Sequence, residues 1–195
     1  MTATDYSYSK PAKIIHLSLA VFGVLAYVTG ELAEDGGQSL GYSLHSYLGL
    51  TLMAAILLRF IHGQTSRDWR QLSSWSPLSK DQWKRAVEDV WSLLKLKMPE
   101  RGMHEGLAGL TQAFGLFIFS WMGATGTVLF FLGGGPESDI FELIEELHEV
   151  GEALIPLFLL LHVGSVMVHS ITGHSNWKKM WSFGDDSSQE KSSSA

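Results

Sequence analysis

The sequence predicts an all-α membrane protein: a four-helix transmembrane bundle with N and C termini cytoplasmic. Apolar residues collect in four blocks, 14–30, 41–61, 107–132 and 153–171, although the mean hydropathy of the 195 residues is only +0.11. Each block is near the roughly 20 residues that cross a hydrocarbon core about 30 Å thick, where only a helix satisfies its own backbone. Charge then orients the bundle. With both termini inside, all 14 Lys and Arg fall on one side or at its boundary, as Lys10, Lys13, the run from Arg59 to Arg101, Lys178, Lys179 and Lys191. The other two connections hold Glu31, Glu34, Asp35, Glu137, Asp139, Glu142, Glu145, Glu146 and Glu149, with Glu152 just beyond. Lys and Arg near spans stay cytoplasmic, so the opposite face is acidic.

The first helix is expected at about 13–33. Lys10 and Lys13 ahead of a short apolar run, with GELA after it, would also suit a cleavable signal peptide. His16 and Tyr27 inside that run argue for a span instead. The second helix is expected at about 41–62 and follows closely. The connection after it is about 40 residues long, too long for a plain link. Within it Ser79 and Gln82 form a capping-box pattern, and Trp83, Val87, Val90, Trp91 and Leu94 recur at helical spacing until Pro99. An amphipathic cytoplasmic helix at about 80–97 follows, with Lys80, Lys84, Arg85, Lys95 and Lys97 suited to an anionic leaflet. Trp69, Trp75, Trp83, Trp91, Trp177 and Trp181 share that side, as an interfacial aromatic belt does.

The third helix is expected at about 104–132. After the breaker GGGP, the segment ESDIFELIEELHEVGE places Ile140, Leu143, Ile144 and Leu147 on one helical face and runs into the fourth helix, about 148–172, which Pro156 should kink. Residues 1–183 form one domain, and the low-complexity tail 184–195 is expected to be disordered. The chain has no cysteine and a net charge of −6. That excludes a disulfide, a thiolate metal site and a covalently attached c-type haem. No nucleic-acid partner is expected.

Histidine is the main soft ligand that remains. An ionisable side chain inside a span is costly and marks a functional site. His148 and His162 lie 14 residues apart on the fourth helix, so they share a face within about 40° while standing about 21 Å apart along the axis. His45 opens helix 2 at the outer level of His148, and His16 opens helix 1 on the inner side. Depth alone lets His16 meet His162 or His169, because His169 lies only about 20° away and about 10 Å deeper. Histidine pairs at two depths suit two stacked haem b groups, each needing one imidazole from either side. Zinc is less suited, since a structural site gathers four ligands at one point. His62, His104 and His174, at cytoplasmic ends of spans, read as solvated or headgroup-facing side chains.

The stretches KIIHLSLA, HSYLGLTLMAAILLRF, MHEGLAGLTQAFGLFIFSWMGATG and LHEVGEALIPLFLLLHVGSVMVHS with NWKKMW resemble the bacterial cytochrome b561 family, including the cytochrome b subunits of nickel-iron hydrogenases, over about residues 8–183. The resemblance implies an outer haem iron held by His45 and His148 and an inner one held by His16 and His162. Where some members carry histidines early in helix 3, this chain has Gly109 and Gln112, so no role is carried over there. Arg59, 14 residues after His45, reads as a snorkelling arginine or as a bidentate partner for an inner haem propionate. Gly23, Gly49, Gly115, Gly123 and Gly164 could admit a close neighbour or a macrocycle.

The expected function is a di-haem b transmembrane electron carrier between the quinone pool and a redox partner, in a bacterial inner membrane. Whether it also acts as a quinone oxidoreductase is left open by the sequence. The alternatives are a haem-bearing membrane anchor of a hydrogenase or dehydrogenase complex and a histidine-lined metal transporter; the second should carry acidic residues inside its spans, and these spans hold almost none. The expected partners are membrane lipid, a quinone, and either a basic c-type cytochrome or a dehydrogenase or hydrogenase subunit, with a homodimer as a further option; the acidic face reads either as plain solvation or as steering of a basic partner.

Overall fold

The structure is a computed structural model that describes residues 9–33, 39–65, 79–95, 97, 106–133 and 138–171. Within them the chain forms α1 (Lys10–Val28), a 3-10 turn (Glu31–Ala33), α2 (Leu40–Thr65), α3 (Lys80–Leu94), α4 (Gly106–Leu132) and α5 (Asp139–Ile171). The helices α1, α2, α4 and α5 are long and apolar enough to cross a membrane. No strand occurs among the described residues. Most of the tryptophans of the expected aromatic belt, the tail and the histidines His104 and His174 lie outside them.

Local chemistry sets the helix ends. The Ser9 hydroxyl accepts the Ala12 N–H at 3.4 Å and opens α1, with Pro11 in the first turn, where a missing N–H costs nothing. Thr29 closes α1 by donating its hydroxyl to the Leu25 carbonyl at 2.8 Å. Ser39 opens α2, its hydroxyl accepting the Tyr42 N–H at 3.0 Å. Helix α5 runs through Pro156 as one helix of 33 residues.

The amphipathic helix α3 packs in an unusual sense. Its apolar stripe, Trp83, Val87, Val90, Trp91 and Leu94, is exposed, and the buried side chains are Gln82, Ala86 and Asp89. These polar groups serve the N-terminus of α4, whose first N–H groups have no partner within the helix. The Gln82 amide donates to the Gly106 carbonyl at 3.1 Å and accepts the Gly106 N–H at 3.3 Å, while the Asp89 carboxylate accepts the Leu107 N–H at 2.9 Å. Gly106 holds a φ of +62°, and a Cβ there would run into the Asp89 carboxylate, so only glycine fits the junction.

Helix α1 packs on α2, α2 on α4, α4 on α5, and α3 on α4. The backbone contacts of α5 are mainly with α4, and Tyr27 of α1 also packs against the core that α4 and α5 share. The tightest core, Ile118, Ile155 and Phe158, forms between α4 and α5 and is flanked by Phe114, Phe119, Met122, Leu154 and Leu159. Exposed Val21, Val24, Leu57, Phe117, Leu160 and Met167 give the bundle the apolar exterior expected in lipid.

Candidate functional site

Between α5 and the α1–α2 pair stand two pairs of imidazoles. His45, in the second turn of α2, faces His148 with ring centres 6.2 Å apart and planes at 89°. His16, in the second turn of α1, faces His162 with ring centres 6.2 Å apart and planes at 45°. Metal–nitrogen bonds of about 2 Å on either side of one ion put two imidazole centres about 6 Å apart, so each pair has the spacing of two axial ligands. No group of three or more His, Cys, Asp or Glu gathers for a metal ion among the described residues. A single iron in a macrocycle needs only the two.

The ring nitrogens tell which atom is offered. His45 donates its Nδ1–H to the Ala26 carbonyl at 3.0 Å, near the C-terminal end of α1. His148 has its Nδ1 at 2.8 Å from the Thr125 hydroxyl on α4. With Nδ1 engaged on both rings, the free donor atom is Nε2, the arrangement expected when a second set of partners orients a metal-binding histidine.

Helix α4 carries neither member of either pair, yet it positions both α5 histidines. A Cβ on Gly126 would come within 3.1 Å of His148 Cε1, so glycine makes room for the imidazole. The Trp121 indole N–H donates to the Leu147 carbonyl at 2.7 Å, tying α4 to α5 one residue before His148. At the other level, Gly115 lets Phe158 lie against α4, and a Cβ there would overlap the ring. Phe158 in turn stacks on His162 at 5.3 Å with planes 16° apart and meets Phe119 edge-on at 5.5 Å. The dense core around Ile155 thus lies between the two pairs, which along α5 are about 21 Å apart.

Cationic groups lie at the His16 level. Arg59 is half-buried and close enough to act electrostatically on the His16 imidazole. Lys13, one turn before His16, is buried at 7% exposure. Such cations suit carboxylates of a bound group such as haem propionates. His62 lies 3.5 Å from the Ser9 hydroxyl, outside both pairs. His169 is half-buried on α5 two turns past His162, and the ring set opposite His16 is that of His162. Of the five glycines singled out in the sequence, Gly23, Gly115 and Gly123 abut neighbouring side chains, whereas Gly49 and Gly164 face open space.

Sequence reasoning missed Trp121, Thr125, Gly126 and Phe158, because spacing along one helix carries no signal of what a neighbouring helix presents. The family model for prokaryotic cytochrome b561 matches residues 7–183. No curated protein and no solved structure matches the chain. Facing imidazoles on four membrane-length helices and a family match over nearly the whole chain agree: the chain belongs to the prokaryotic cytochrome b561 family of haem b membrane electron carriers.

Proposed function

We propose that the chain is a di-haem electron carrier that links the quinone pool to a redox partner across a bacterial inner membrane. The observation that carries this reading is the pair of matched histidine contacts, His45 with His148 and His16 with His162, each with ring centres 6.2 Å apart. Two haem b groups held there would supply one-electron redox chemistry, and the chain's own part is to ligate, orient and keep them dry. His45 and His148 would hold one iron, and His16 and His162 the other. Arg59 would contribute to seating the propionates of the second. The termini and α3 lie on the cytoplasmic side, with the exposed apolar stripe of α3 in the inner leaflet.

The opposite end of α5 supports contact with a redox protein. Exposed Ile140 and Leu143 stand among exposed Glu142, Glu145, Glu146 and Glu149, a surface that attracts a basic partner such as a c-type cytochrome or a hydrogenase or dehydrogenase subunit. The chain would then anchor that partner as well as conduct.

The test is a pyridine haemochrome count on purified chain, followed by rapid mixing with a reduced quinol. Two b-type haems per chain, both reduced by quinol, are the expected result. A folded, haem-supplied preparation without haem, or haems that quinol cannot reduce, would contradict the reading.

A further inference from the structure

We propose that Thr125 is a positioning residue for His148, fixing through its hydroxyl the electron-donating strength of that imidazole. The inference rests on the reading of His148 as an iron ligand. Hydroxyls in the spans ordinarily bond back to their own helix: Thr51 donates to Tyr47, Thr111 to Leu107, Ser120 to Leu116, Thr127 to Gly123 and Ser165 to His162. Thr125 does the same, donating to the Trp121 carbonyl at 2.9 Å, and in addition meets His148 Nδ1 at 2.8 Å.

With an iron on Nε2, the hydrogen of the imidazole stands on Nδ1 and is donated to the Thr125 oxygen. The single hydroxyl proton is then free to go back to the Trp121 carbonyl, so both contacts are satisfied at once. Accepting a hydrogen bond from Nδ1–H makes the imidazole a stronger donor at Nε2, which favours the oxidised state of an iron bound there. The Trp121 indole holds α4 to the Leu147 carbonyl, so the same turn of α4 fixes both the height of the His148 backbone and the hydrogen bond to its ring.

The two levels differ in this respect. His45 relies on a backbone carbonyl, which substitution cannot remove. For His16 and His162 the described residues provide ring contacts and no hydrogen bond to a ring nitrogen. Thr125 is therefore the side chain through which this fold sets one of its two haem potentials independently of the other.

The experiment compares wild type with Thr125→Val, Thr125→Ser and, as a control on a hydroxyl that only bonds back, Thr127→Val. Haem count, redox titration of both haems and the low-spin ferric electron paramagnetic resonance spectrum are read on each. Thr125→Val should keep the α4 surface and move one haem to higher potential. A tenfold loss of preference for the oxidised iron, at the low end for a lost partner of a ligand, corresponds to about 59 mV for one electron. One resonance signal should shift while the other stays, Thr125→Ser should restore both, and Thr127→Val should change neither. Two haems with unchanged potentials and spectra in Thr125→Val would overturn the proposal while leaving the di-haem reading intact. Loss of one haem from the Val and Ser variants alike would show a packing role and also overturn it. Wild type without an iron on His148 would end both.

Discussion

The indole N–H of Trp121 and the carbonyl oxygen of Leu147 are joined at 2.7 Å across α4 and α5, immediately before His148 in the chain. Leu147 O belongs to a helix, so this is a second bond to an oxygen that the helix already uses, and it adds register rather than satisfying an orphan. Trp121→Phe keeps the ring contact with Phe117 and loses that bond. The expected cost is about 0.5–1.5 kcal/mol, measured by thermal unfolding in detergent, with faster haem loss from the His45–His148 level than from the other.

Gly115 and Gly126 divide the two levels between them. Gly115→Ala must displace Phe158, the ring stacked on His162, and should cost roughly 1–3 kcal/mol while perturbing the spectrum of the haem at the His16–His162 level. Gly126→Ala presses instead on His148 Cε1 and should perturb the other haem. Resolved α-band spectra of the two variants check the assignment, and the same band moving in both would contradict it.

How much of this was legible in the sequence follows from what each feature depends on. The spans were, because length and hydropathy are local and lipid demands internally bonded backbone. The shared face and roughly 21 Å separation of His148 and His162 were too, since a helix fixes about 1.5 Å and 100° per residue, whereas depth alone left His162 and His169 both open to His16. The apolar stripe of α3 was equally visible, but not that Gln82 and Asp89 on its neighbouring face turn inward to cap α4, because a buried carboxylate is explicable only once Leu107 N–H is beside it. Thr125 looked like any hydroxyl in a span until His148 was placed next to it.

The α3–α4 junction can be tested directly. Asp89→Ala removes the acceptor of the Leu107 N–H and should cost about 0.5–2 kcal/mol, as loss of a helix cap does. Asp89→Asn retains an acceptor and should cost less. Chemical unfolding should register the loss, and the haem at the His45–His148 level, beside Gly126 near the opposite end of α4, should be retained.

Charge at the His16 level has a sign. Arg59→Gln removes a cation that favours the reduced, less positive iron, so the potential of the haem at His16–His162 should fall and that at His45–His148 should hold. Redox titration reads both in one sample. A fall in the other haem would place Arg59 at the wrong level.

The central claim is that four histidines hold two irons in the pairs 45–148 and 16–162, and haem stoichiometry in single alanine variants tests it most directly. His45→Ala and His148→Ala should each retain one haem with the same spectrum and potential; His16→Ala and His162→Ala should each retain the other. Two haems in any of these variants, or a retained haem that differs between the members of a pair, would contradict the account.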